Sequence, residues 1–514
     1  MPPPPQPHLP EPAPDEGAPP GDGRRPPLHP LETVLVALTT LHLCFLPWAL
    51  GTMHVWSQLT SLGLAAAGFA LATWPRTGSG HRPDQEGEPS RIWPAAQLWR
   101  QPVVWAGLLF LGYITVQGMN PAWRFQSNAD VWWLERLDPV AWLPTGVDAP
   151  FDRSNPWRAL TIFGSLFLLV ASVWTGLTRR RSYHALFVLL AANSVLLALL
   201  GLAQRLTRAT DIFWSYRPSN ASFVASFIYP NHAGSYLNLT LALTIGLAWW
   251  HHQRARRRLE NPGRAPAFAA GAALIAGLVI LSYSRMSIVL LLTLILLMGG
   301  GAAIRGISRP DRVRRRRSFR AAGLACAACF ALALTVMQLE RVRQRFDEVF
   351  APSGASVRAR TLAREAATDM LKDYWLIGWG AGCFQYGYPK YTANYPEIDY
   401  RETGARRSWE HAHNDILEFP IELGVIGLLP LLVVLGRGLW QFARRRGWDN
   451  VLSFAVALGC TLTLLHGWVD FVFQCPAVLL TWGVLSTGAL RWSELDRPSP
   501  QTACTPAPGA SSPA

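Results

Sequence analysis

The 514-residue chain is half hydrophobic, carries 23 tryptophans and has a formal net charge of +14. Its apolar residues come in runs of about 17–22, the length that crosses a bilayer, and each run must satisfy its own backbone hydrogen bonds as a helix. This pattern excludes a soluble α/β or all-β domain, and the arginines concentrate in alternate loops as the positive-inside rule describes, so no nucleic-acid partner is expected.

Residues 1–30 are rich in proline and lack apolar periodicity. They read as a disordered tail rather than a signal peptide, because the first apolar run begins after Leu31. The rest predicts an all-α polytopic membrane protein with about twelve transmembrane helices, at 32–52, 56–74, 102–119, 159–178, 184–203, 233–250, 266–282, 286–304, 321–337, 421–438, 451–470 and 474–490. Nine of these lie within 31–337, a large loop fills 338–420, and three more lie within 421–490 before a second polar tail at 491–514. With the N-terminus inside, loops 75–101, 179–183, 251–265, 305–320 and 439–450 are cytoplasmic and hold runs such as Arg179–Arg181, Arg256–Arg258 and Arg314–Arg317. Both termini then face the cytoplasm. The loop 338–420 faces the periplasm despite its arginines, since long loops translocate largely regardless of charge.

Within that loop Leu362, Ala366, Met370 and Tyr374 recur four apart, which reads either as an amphipathic helix on the membrane surface or as a helix packed on the bundle. A glycine-rich turn, Trp379 to Gly382, follows. Cys326 and Cys329 have metal or redox spacing but sit in an apolar run and read as core. Cys383 and Cys475 both fall on the outer side, where a disulfide between them is chemically allowed.

Polar and charged residues at the edges of spans need a reason, and three places on the outer side stand out. His411-Ala-His413-Asn414-Asp415 leads into Glu418, Pro420, Glu422 and Gly424. Asn414, Glu418 and Glu422 are four apart and share one helical face, and Pro420 is expected to kink the helix. A histidine at the top of a carboxylate stripe serves as a general base with its ring oriented by the carboxylate, or the stripe is only an interfacial cap. The turn Ser282-Tyr283-Ser284-Arg285 holds a guanidinium that either snorkels to headgroups or clamps a diphosphate. The loop around Arg217 leads to Pro230-Asn231, with Arg205 and Arg208 nearby.

Together these elements resemble the O-antigen ligase and O-antigen polymerase superfamily of bacterial surface-glycan enzymes. The resemblance rests on the His-Asn-x-x-x-Glu-x-x-x-Glu-x-Gly run at 413–424, the Ser284-Arg285 turn and the Phe-x-x-Pro-Asn element at 227–231. Leu376 to Phe384 and His466-Gly-Trp-Val-Asp470 extend it over about 200–490. It implies a bacterial inner-membrane glycosyltransferase of lipopolysaccharide biosynthesis, with its active site on the periplasmic side. The implied donor is a glycan on undecaprenyl diphosphate. The implied acceptor is lipid A-core for a ligase or a growing glycan for a polymerase. His413 is the implied base, with Glu418, and Arg217 and Arg285 the implied diphosphate ligands; His411, Asn414, Glu422 and Asp470 support them. The implied reaction needs no metal or cofactor. A transporter or flippase of lipid-linked glycan is the alternative from another class.

Overall fold

The computed structural model describes residues 29–77, 91–129, 131–261, 263–307, 340, 355–399 and 409–495. It is a mostly helical membrane protein. The helices are α1 (Pro30–Trp48), α2 (Val55–Thr73), the short α3 (Pro94–Trp99), α4 (Pro102–Met119), α5 (Pro156–Gly176), α6 (Arg180–Leu206), α7 (Pro230–Arg258), α8 (Ala265–Leu281) and α9 (Arg285–Ile307). Beyond them come α10 (Ala355–Tyr374), three single-turn helices, α11 (Asp415–Arg444), α12 (Val451–Gly467) and α13 (Pro476–Leu495). Among the described residues seven helices are long and apolar enough to cross a membrane: α1, α2, α4, α5, α6, α9 and α11. Two more, α8 and α12, are apolar but shorter. The expected span 321–337, the run Arg314–Arg317, Cys326 and Cys329 lie outside the described residues, as do most of both tails.

Helix α7 is the axis of the bundle. From His232 to Thr244 every residue is buried, polar ones included. A helix buried on all sides hides its hydroxyls by bonding them to its own backbone, as Thr240 and Thr244 do with the carbonyls one turn back, at 3.0 and 2.7 Å. Helices in lipid gain little from hydrophobic exclusion, so close packing matters more. A methyl group on Gly459 of α12 would lie 2.6 Å from the Ala242 side chain of α7, which measures how near the two backbones run. Around this core the outer helices turn Leu41, Leu59, Leu109, Leu196, Leu296 and Leu432 outward, as lipid-facing surfaces do.

Two sequence expectations are corrected here. The chain is not all-α: residues 121–148 form a three-stranded sheet of β3 (Pro121–Ser127), β4 (Trp132–Arg136) and β5 (Gly146–Asp148), after a two-residue pair β1 and β2 at Arg76–Thr77 and Arg91–Ile92. The order is β4-β3-β5, with Phe125 opposite Leu134 on the inner face and Arg124 opposite Glu135 on the outer. That alternation of apolar and charged residues has a period of two, and an apolar-run search for helices passes over it. Cys383 and Cys475 are both free and buried; the Cys475 thiol donates to the Gly51 carbonyl at 3.3 Å.

The helix α10 packs rather than floats. Ala363, Ala366, Ala367 and Met370 are buried in one cluster with Trp379, Phe384, Tyr388 and Tyr391. The expected kink at Pro420 of α11 is instead a break at Gly424, with φ 63° and ψ 177°. Only glycine takes that backbone readily. The freed groups are met by an antiparallel stretch before Gly380: Val425 N–H donates to the Trp375 carbonyl at 2.8 Å, Ile426 to Leu376 at 3.1 Å, and Trp379 to Ile421 at 2.7 Å. Irregular backbone at membrane depth persists where protein satisfies it in this way.

Candidate functional site

At one end of the bundle five segments converge: the α1–α2 turn, the start of α7, the α8–α9 turn, the start of α11 and the α12–α13 turn. Helix α11 begins after Asn414, whose extended backbone and side-chain oxygen cap the helix by accepting from Leu417 N–H at 3.2 Å. Asn414 is therefore a cap rather than the top of a stripe with Glu418 and Glu422. His413, just before it, has φ 51°. That left-handed backbone costs an L-residue on the order of 1 kcal/mol, so its surroundings hold it there.

They hold it with a carboxylate. Nδ1 of His413 lies 3.2 Å from Oδ1 of Asp470, in the turn beyond α12. The same oxygen accepts from Phe471 N–H at 2.9 Å. The other oxygen, Oδ2, accepts from the Asn231 side chain, which in turn accepts from the Ser284 hydroxyl at 2.6 Å. Ser284 is 2.7 Å from the Ser287 hydroxyl. A continuous polar chain thus runs His413–Asp470–Asn231–Ser284 and joins the three sequence places. Burial alone raises the Asp470 pKa, but the hydrogen bond and charge of His413, with His466 and Arg360, outweigh it and hold the carboxyl well below the usual range.

The carboxylate partners differ from the sequence expectation. Glu418 meets His411, not His413: Oε1 lies 2.7 Å from Nδ1 of His411 and accepts from Gln474 Nε2 at 3.0 Å, while Oε2 accepts from Ala412 N–H at 2.7 Å. Glu422 lies a turn further along α11, where Oε1 accepts from Phe384 N–H at 3.1 Å and its carbonyl accepts from Gln117 at 3.1 Å. It braces the helix break against the segment after α10. Phe471 fills the space between the histidines. The His411 ring stacks on it at 4.7 Å, and the His413 and His232 rings meet it edge-on at 4.7 and 5.0 Å. Burial pulls the His411 pKa down, but the charge and hydrogen bond of Glu418, with Glu422 and Glu410, outweigh it and raise it.

Arg285 opens α9 beside Ser284 and is half-buried. Of the arginines near the α6–α7 connection, Arg205, in the last turn of α6, approaches this turn: its guanidinium lies 5.3 Å from the centre of the Tyr283 ring. Arg217 is exposed. Its neighbour Tyr216 reaches His54 at 3.2 Å on the α1–α2 side. Sequence reasoning had named Asp470 without giving it a partner, and it gave Phe471 and Gln474 no role. Their one signal was position, directly after a span that ends in a charged residue. Among the described residues no group of three or more His, Cys, Asp or Glu side chains is arranged to hold a metal ion.

No curated protein matches the chain. A family model described as O-antigen ligase matches residues 270–432, a stretch that holds Arg285, His411, His413, Glu418 and Glu422. The match spans about a third of the chain, and over residues 270–432 it supports a likeness to the O-antigen ligase and polymerase superfamily.

Proposed function

We propose that the protein is a bacterial inner-membrane glycosyltransferase that moves a glycan from undecaprenyl diphosphate to an acceptor hydroxyl on lipid A-core or a related carrier. The observation that carries this reading is the polar chain from His413 through Asp470 and Asn231 to Ser284, next to Arg285. Asp470 holds Nδ1 of His413 and leaves Nε2 to take the proton of the attacking hydroxyl. Leaving diphosphate gains negative charge as the sugar–phosphate bond breaks. Arg285 and Arg205, each with a planar donor fork, stabilise it; Arg205 lies over the Tyr283 ring, and Arg217 is exposed. In-line displacement inverts the anomeric centre.

A flippase is the less favoured reading. Transporters place broken helices and open backbone groups around a mid-membrane site. The break in α11 is closed by the backbone of Trp375 to Gly380. A polymerase of the same superfamily would use the same residues.

The test is the surface glycan of a deletion strain. Finished chains retained on undecaprenyl diphosphate support the ligase. Acceptors capped by a single repeat point to the polymerase, and an unchanged glycan rejects both. Alkaline-phosphatase fusions within 338–420 should be active and fusions within 305–320 inactive if the site faces the periplasm.

A further inference from the structure

We propose that His411, tied through Nδ1 to Glu418, is a second functional histidine that hydrogen-bonds the departing diphosphate of the donor lipid. This rests on the glycosyl-transfer reading above. The site holds not one carboxylate–histidine pair but two, on either hand of Phe471: His411 with Glu418 at 2.7 Å and His413 with Asp470 at 3.2 Å. In each, the carboxylate takes Nδ1 and leaves Nε2 for a ligand.

The two pairs are wired differently: the second oxygen of Asp470 continues to Asn231 and Ser284, while that of Glu418 ends on Ala412 N–H. The titratable groups around His411 are mostly carboxyls, Glu418 first, then Glu422 and Glu410, with His232 across Phe471. Around Asp470, besides His413, they are His466, His232, Arg360 and Asp415. The Glu418 oxygens are filled by Ala412 N–H and Gln474, so the negative charge facing His411 is fixed in place. Two like groups tied to different carboxylates divide the work between them. His413 accepts a proton, and His411 supplies positive charge.

The step balances. The acceptor oxygen bonds to the anomeric carbon while its proton passes to Nε2 of His413. The bond from that carbon to the diphosphate oxygen breaks, and its electron pair stays on the oxygen. Nε2–H of His411 hydrogen-bonds that oxygen and keeps its proton. Arg285 and Arg205 hold the remaining phosphate oxygens.

The experiment uses the full chain in proteoliposomes with two probes: undecaprenyl diphosphate alone for binding, and lipid-linked glycan extracted from the deletion strain for transfer. His411→Asn keeps an N–H for Glu418 but removes both Nε2–H and the charge. Binding of undecaprenyl diphosphate should weaken about 10-fold and transfer should fall roughly 10–100-fold, the scale of one charged donor. The pH profile separates charge from mere tethering. Because the His411 pKa is raised above 6.5, its charge persists beyond that value and is lost as pH rises further. Wild-type transfer should therefore decline on the alkaline side, and Glu418→Gln should move that decline to lower pH. A His411→Asn protein that binds undecaprenyl diphosphate like wild type overturns the proposal and leaves the transferase reading intact. If that variant does not reach the membrane, a wild-type profile with no alkaline decline overturns it equally. Wild-type protein that transfers nothing overturns both readings.

Discussion

Histidines gather at both ends of this bundle, and the two groups behave differently. At the site end, His411 and His413 each give Nδ1 to a carboxylate and keep Nε2 for other use. About 30 Å away along α7, by the 1.5 Å rise per residue, His184 of α6 faces His251. Their Nε2 atoms lie 3.2 Å apart, so one donates and the other accepts. Trp492 stacks on His184 and Phe268 on His251. One end spends one ring nitrogen of each histidine on a carboxylate, while the other pairs ring nitrogens with each other. What a histidine does here is decided by its second partner, not by its presence near a membrane face.

The sharpest way to break this contrast is His413→Ala. Single-turnover transfer from lipid-linked glycan should slow by roughly 10²–10⁴ while membrane abundance holds. Asp470→Asn should also be slow, since an amide does not enforce the Nδ1–H tautomer that leaves Nε2 as acceptor. The depressed Asp470 pKa means that its stabilising contribution is full above the ordinary aspartate value, about 3.9, and is lost only as pH falls through the lower folded value. A neutral-pH assay of Asp470→Asn therefore reads the whole interaction. Normal transfer by both variants would place the base elsewhere.

Next come the arginines. Arg285→Ala and Arg205→Ala should each cost about 10²–10³ in rate, and Arg→Lys should restore little because lysine lacks the fork. Arg217→Ala should cost less than either. A larger loss at Arg217 than at Arg205 would return the second diphosphate contact to Arg217 and leave the Tyr283 stack as packing.

A smaller effect is expected on stability. Gly424→Ala puts a methyl group into the Leu376 carbonyl, on a backbone that other residues avoid. It should cost at least about 1–3 kcal/mol, read as a lower melting temperature in detergent. An unshifted melt would mean that the break relaxes into continuous helix.

Much of the architecture was legible in the sequence because spans announce themselves by length and hydropathy. Among the described residues a helix runs through each expected span. The sheet was not legible, because Trp123, Phe125 and Leu134 alternate with Arg124, Gln126 and Glu135 over too few residues to register beside long apolar runs. At the site, the three motif places were visible as costly polar residues at span edges. Their wiring was not. A four-residue spacing suggested that Glu418 serves the helix face below His413, but His413 turns out of the helix with φ 51°, and Glu418 reaches back to His411. Asp470 lies 57 residues along the chain from His413, a pairing that only the fold can bring about. Arg205 approaches Arg285's turn through an aromatic ring, and ring stacking has no sequence signature.

The smallest effect belongs to the other end of the bundle, and it is the control for the whole comparison. His184→Phe and His251→Phe each remove one half of a neutral pair. A single hydrogen bond of this kind contributes about 0.5–1.5 kcal/mol net, and a phenyl ring replaces the imidazole against Trp492 or Phe268 with little loss of packing. The melt should drop slightly for each variant. The double variant should be no worse than either alone, because replacing both partners leaves no buried group unpaired. Transfer should stay within about twofold of wild type, far below the roughly 10²-fold threshold for losing a proton acceptor. A large loss of transfer in the double variant with an unchanged melt would show that this second pair also does chemistry, and that two carboxylates are not what separates a working histidine from a packed one.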